Sequence, residues 1–143
     1  MYSKIWLSKP HFETDDLDYF KTTMESNWIS TVGPNIASFE RSIEDVFNKN
    51  LKAVALNSGT SAIHLALKML HIGAGDEVIC QTFTFCATVN PILYCGATPI
   101  FIESEQETWN MCPVFLEEAI KDRLKINKKP KAIIVVDSYG MPA

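Results

Sequence analysis

Long apolar runs, paired cysteines and cationic stripes are missing from these 143 residues, and each absence removes a class of function. No uninterrupted apolar stretch approaches the ~20 residues of a membrane span. The start, Met1-Tyr2-Ser3-Lys4-Ile5-Trp6, lacks the apolar segment of a secretory leader, so a cytoplasmic location with no membrane partner is expected. Cys80, Cys86, Cys95 and Cys112 form no C-x-x-C pair and have no histidine at metal-ligand spacing. Reduced, buried thiols and no metal are expected. The net charge is −4, with no basic stripe for nucleic acid. The densest cationic stretch, Lys125, Lys128, Lys129 and Lys131, surrounds Pro130 and reads as a solvated loop. There is no internal repeat and no low-complexity segment. What remains, 47% apolar and 21% charged residues, is ordinary for a globular protein, and the length suits one domain with a sizeable core.

The order of patterns is more informative. Asp15 to Glu25 is helical by its Leu17, Phe20 and Met24 spacing, with Thr14 or Asp15 as N-cap. A loop from Asn27 to Pro34 carries Trp28 and Gly33-Pro34. Ile36 to Phe47 is helical again, and its stripe of Ile36, Phe39, Ile43, Val46 and Phe47 reads as core. Strands are then expected at Ala53–Leu56, Glu77–Gln81, Thr98–Ile102 and Ala132–Asp137. Helices are expected between them at Thr60–Leu70, Ala87–Tyr94 and Pro113–Leu124, the last with proline in its first turn. Short continuous apolar strands separated by helices predict a mostly parallel α/β sheet with helices on both faces. Gly73-Ala74-Gly75 follows a helix and precedes a strand, the wrong order for a dinucleotide fingerprint, and reads as a helix-ending turn. Asp76 and Glu77 read as turn and strand entry.

Chemistry concentrates at Asn57-Ser58-Gly59-Thr60-Ser61, directly after the first expected strand and opening an apolar helix. A helix start carries unpaired amides and the positive end of the macrodipole, so it holds a phosphate without lysine or arginine. Gly59 lets the backbone approach the anion, and Thr60 and Ser61 add hydroxyl donors. No lysine follows the turn, which excludes a P-loop. The competing reading is a plain Ser/Thr helix cap.

Several motifs in order now carry a resemblance. They are W-I-S-T-V-G-P, F-E-R-S-I-E, N-S-G-T-S-A-I-H-L-A-L, G-A-G-D-E-V-I, T-F-C-A-T-V-N, G-A-T-P-I-F-I-E, E-T-W-N-M and V-D-S-Y-G-M-P-A. The chain resembles the DegT/DnrJ/EryC1/StrS family of pyridoxal-phosphate-dependent sugar aminotransferases of fold type I, from about Ile5 to the last residue. The resemblance implies residues 1–50 as an N-terminal helical segment with a substrate loop, and residues 51–143 as the first part of an incomplete large, cofactor-binding α/β domain. It implies Gly59, Thr60 and Ser61 as the phosphate turn, Phe85 as the aromatic that stacks on the pyridine ring, and Trp28, Ile29 and Ser30 as residues near the sugar. For Trp28 a plain hydrophobic anchor weighs equally. Phe83, two residues from Phe85, reads as core. Asp137 reads as strand-end structure, because V-D-S-Y-G-M-P-A matches a segment preceding the family's acidic motif. Tyr139 and Gly140 read as turn residues.

The resemblance also implies a Schiff-base lysine after a serine-rich stretch, and none of the eleven lysines has that context. Lys68, on the helix after the phosphate turn, is expected to face solvent. The chain therefore reads as the N-terminal part of an aminotransferase, inactive alone and poorly soluble, its first strand without its neighbour. The whole protein is expected to be a homodimer that passes an amino group, from glutamate or a similar donor, to a nucleotide-linked keto sugar. The carbon expected is C4 of a 4-keto-6-deoxy sugar, for polysaccharide or O-antigen synthesis. Open alternatives are a dehydratase of the same family, with histidine replacing the lysine, and a non-catalytic anion-binding α/β module.

Overall fold

The computed structural model describes residues 4–6, 9–48 and 50–143; Met1–Ser3, on which part of the leader reading falls, lie outside the described residues. The chain divides into two compact units, one ending at Ala55 and one spanning Leu56–Ala143.

The first unit holds α1, Asp16–Glu25, and α2, Pro34–Val46, the latter with proline in its first turn. Asp15 precedes α1 without a side-chain capping bond; the Asp16 carboxylate instead accepts the Glu13 amide at 2.9 Å. Neither helix contains a buried residue. The stripe expected as core is therefore mostly uncovered, with Phe39 58% exposed and Ile36 half-buried. Two short helices cannot enclose an apolar face without a further layer.

The strand expected at Ala53–Leu56 joins no ladder among the described residues. Two carboxylates one turn apart on α2 replace the missing neighbour for residues 53–55. Glu44 accepts the Ala53 amide at 3.2 Å and Glu40 the Ala55 amide at 2.9 Å. Val54, between them, stays exposed. Successive residues of an extended chain direct their amides to opposite edges, so every second N–H meets the helix.

The second unit is α/β. Its α3 (Gly59–Met69), β1 (Glu77–Gln81), α4 (Asn90–Tyr94), β2 (Thr98–Ile102), α5 (Pro113–Lys125) and β3 (Ala132–Ile134) build a parallel sheet in the order β2-β1-β3. The register runs Glu77↔Thr98 to Gln81↔Ile102 on one side and Val78↔Ala132 to Cys80↔Ile134 on the other. β1 is buried at all five residues. Val78 and Cys80 enter a cluster with Leu67, Ile72, Ile92 and Ala97, whereas Ile79 points oppositely to Ile102, Met111 and the α5 residues Leu116, Ala119 and Ile120. The sheet is thus covered on both faces, as period-two alternation in a central parallel strand requires. β2 and β3 are only partly buried.

Three helix ends depart from, or add to, the expected pattern. The helix expected at 87–94 splits into a 3-10 turn at Cys86–Thr88 and α4, because Pro91 has no amide to donate and its ring crowds the carbonyl four residues back. α3 is ended by His71, not by Gly73 or Gly75. His71 takes φ 54°, and Ile72 N reaches Leu67 O at 3.1 Å. Gly96 and Asn127 end α4 and α5 the same way, with left-handed φ and a bond from the following amide back into the helix. Gly73–Asp76 forms the turn into β1, closed by the Gly73 amide on the Asp76 carboxylate at 2.9 Å.

The cationic stretch is not simply solvated. Lys131 Nζ lies 2.9 Å from Asp76 and donates to the His71 carbonyl at 3.2 Å. Lys128 and Arg123 stand 3.6 and 3.5 Å from the buried Glu77 carboxylate. The Lys131 ammonium and the Gly73 amide hold the Asp76 carboxyl below its ordinary range. Of the four free thiols only Cys80 is buried, and burial pushes it up to about 11; Cys86 is exposed, contrary to expectation.

This packing gives a contrast measurable by urea denaturation. Ile92→Ala should lower stability by about 2–5 kcal/mol through the cavity it leaves, whereas Phe39→Ser on the uncovered α2 stripe should change it by no more than ~0.5 kcal/mol.

Candidate functional site

At the start of α3 the chain must leave an extended conformation and enter a helix. Ser58 makes the change, with φ −164° and ψ 158°, and its Oγ accepts the Ser61 amide at 3.2 Å. The Ser58 hydroxyl donates to Ser61 Oγ at 3.1 Å, and the Ser61 hydroxyl donates to Asn57 Oδ1 at 2.7 Å. The first helix-closing bond runs from the Ala62 amide to the Ser58 carbonyl at 3.1 Å. The Gly59 and Thr60 amides and the Thr60 hydroxyl therefore have no acceptor among the described residues.

Gly59 is not demanded by the protein's own backbone. Its φ lies outside the left-handed region, and a Cβ built there meets nothing within 4 Å. The space a side chain would fill is open, beside two unpaired amides and a hydroxyl. That donor set suits a phosphate ester. Lys68, farther along α3, is exposed.

Phe85 lies on the chain leaving β1, beyond its C-terminal end, and is 77% exposed. α3 packs against the 3-10 turn that follows it. A cleft of about 390 Å3 is lined by Phe83, Thr84 and Phe85 from the β1 exit and by Val136, Ser138 and Tyr139 from the β3 exit. It lies at the C-terminal edge of the parallel sheet, where α/β folds bind ligands. Phe83 is not core: it borders this cleft, its ring centroid 5.3 Å from Trp109 and 6.1 Å from Tyr139. Asp137 Oδ1 accepts the Ala143 amide at 3.0 Å. Tyr139 adopts φ 53° within the 3-10 turn Ser138–Gly140.

Trp28, Ile29 and Ser30 lie in the first unit, in the exposed loop between α1 and α2. A Cβ on Gly33 would sit 3.3 Å from Trp28 Cβ, so the glycine makes room for the indole. Among the described residues no group of three His, Cys, Asp or Glu side chains could hold a metal.

Sequence reasoning missed the polar residues under the cleft. Gln81 is 0% exposed and Asn110 3% exposed. The signal for Gln81 was available, since a glutamine closing the run Val78-Ile79-Cys80 inside a covered strand needs internal hydrogen bonds. Asn110 gave no signal, because the partners it finds are distant in sequence, at Ser138, Met141 and Pro142.

Removing the cap should be felt locally. Ser58→Ala should cost about 0.5–2 kcal/mol of stability in chemical denaturation.

A model of the DegT/DnrJ/EryC1/StrS aminotransferase family matches residues 10–143. EpsN of Bacillus subtilis (strain 168), provisionally named a pyridoxal phosphate-dependent aminotransferase, is 46% identical over 143 residues, 100% of this chain and 37% of the relative. A GDP-perosamine synthase of Caulobacter vibrioides is 37% identical over 96% of this chain and 35% of its own length. Among solved structures, Spr1654 of Streptococcus pneumoniae, provisionally named a sugar aminotransferase, superposes in its PMP form with a TM-score of 0.81. It is 32% identical over 99% of this chain and 34% of its own length. A PLP form of the same protein matches equally. The chain spans about a third of the length of these relatives.

Proposed function

The chain belongs to the DegT/DnrJ/EryC1/StrS aminotransferase family, whose cofactor is pyridoxal phosphate, and from that premise we propose that these residues supply the phosphate cup and one aromatic wall of a sugar aminotransferase. The observation that carries the reading is the open space at Gly59, flanked by the unpaired Gly59 and Thr60 amides and the Thr60 hydroxyl. These donors bind the phosphate ester; Ser61 holds the turn in shape through Ser58 and Asn57. Phe85 offers an exposed flat face to the pyridine ring and keeps water from that side. When bound, pyridoxal phosphate supplies the electron-withdrawing ring on which amino groups are exchanged.

In this reading the lysine that takes part in the proton transfer comes from outside these 143 residues. Trp28, Ile29 and Ser30 contact the sugar. The whole protein acts as a homodimer and moves nitrogen from glutamate to C4 of a nucleotide-linked 4-keto-6-deoxy sugar, for polysaccharide synthesis. A relative named for a GDP-linked product, GDP-perosamine, supports a nucleotide-bound acceptor.

Gly59→Ala separates binding from folding. In the full chain it should leave stability unchanged or raise it by up to about 1 kcal/mol, since the backbone there suits alanine. It should weaken pyridoxamine phosphate binding, measured by calorimetry, by about tenfold or more, because the new methyl group displaces the ester from charge-assisted amide bonds. Unaltered affinity would place the phosphate elsewhere.

A further inference from the structure

The ladder between β1 and β3 stops at Cys80↔Ile134, three residues earlier than the apolar run Ala132–Val136 and Asp137 lead one to expect. Gln81 is the cause. Its Oε1 accepts the Val136 amide at 3.1 Å, a bond to a side chain where a longer ladder would use backbone. Its Nε2 donates to the Phe83 carbonyl at 2.9 Å and to Ser138 Oγ at 3.0 Å. The amide orientation is forced, since Val136 offers only a donor and Phe83 only an acceptor. From a second position Asn110 Oδ1 accepts the Ser138 amide at 3.0 Å, while its Nδ2 donates to the Met141 and Pro142 carbonyls at 2.9 and 3.0 Å. The two carboxamides hold the chain from Val136 to Pro142, including the left-handed Tyr139.

We propose that Gln81 is a positioning residue that sets the cleft for the cofactor ring, by wedging its carboxamide between the exits of β1 and β3. Each wall of the cleft comes from one exit, Phe83, Thr84 and Phe85 opposite Val136, Ser138 and Tyr139. Gln81 bonds to both: through Phe83 on one side, and through Val136 and Ser138 on the other. A side chain without those bonds leaves the Val136 amide and the Phe83 carbonyl without their partner, and the exits shift to find others. The separation of the walls, and with it the seat opposite Phe85, changes. This inference rests on the reading of Phe85 and the cup given under Proposed function.

The test compares two ligands on the full chain. Pyridoxamine phosphate uses both cup and cleft; inorganic phosphate uses the cup alone. Gln81→Met, similar in length but without the carboxamide, should weaken pyridoxamine phosphate binding by about tenfold, as for lost buried hydrogen bonds. Its phosphate affinity should stay within about twofold of the parent's. Ser138→Ala, which removes one acceptor of the Gln81 amide, should move the same ratio in the same direction by a smaller factor. An unchanged ratio in Gln81→Met, or an equal loss of both ligands, overturns the role of Gln81. Should Gln81→Met fail to fold, the Ser138→Ala ratio decides alone, and an unchanged ratio there overturns the role as well. Thr60→Val is the control for the cup: if it leaves both affinities intact, the phosphate reading fails, whatever the Gln81 ratio does.

Discussion

One strand with no solvent on any side governs the second unit. Glu77–Gln81 is buried throughout, bonded to a neighbour on each edge and packed by helices on each face. Its apolar middle follows the alternation that such a place demands. Its two ends are polar, and a buried polar group must be satisfied inside the protein. At the entry, the buried Glu77 carboxylate has, among the described residues, only the charges of Arg123 and Lys128, 3.5 and 3.6 Å away, and no hydrogen bond to its Oε2, while Asp76 pairs with Lys131 at 2.9 Å. The chain returning from α5 is braced there before it starts β3. At the exit, Gln81 spends its acceptor and both donor hydrogens on backbone and hydroxyl groups of the departing chains. The first end closes the sheet; the second opens it.

The start of α3 works by the opposite device. Ser58, Ser61 and Asn57 hydrogen-bond to one another, which fixes the turn in place without a ligand. What they leave over is two adjacent amides and one hydroxyl around an open space. Preorganisation of this kind means that ordering costs fall on folding rather than on binding. The cap groups and the leftover donors belong to different residues of one turn, so the cap does not exclude the phosphate cup proposed for it.

The first unit shows what happens when a pattern lacks its partner. The α2 stripe has helical spacing fit for a core, yet Phe39, Val46 and Phe47 are exposed. Ala53–Leu56 has the composition of a strand, yet Ala53 and Ala55 find Glu44 and Glu40 for their amides instead of a neighbouring chain. The chain also spans only about a third of its relatives' length. Residue patterns report which surfaces favour burial; they do not supply the second surface.

Local signals were legible where a short stretch contains its own cause. The start of α3, proline in the first turn of α5, the alternation of β1 and the strand–helix order all follow from spacing and side-chain chemistry over a few residues. The misreadings share a different origin. Phe83 borders a cleft because a chain some fifty residues later passes opposite it, and β3 stops early because a glutamine from another strand intercepts its amide. Sequence by itself determined most of the elements and the capped turn that starts α3, because hydrogen bonds within one turn and one period are set by neighbours along the chain. Only the tertiary structure decided where strands part and which aromatics face the gap, because those depend on buried polar groups meeting partners that are close in space and distant in sequence.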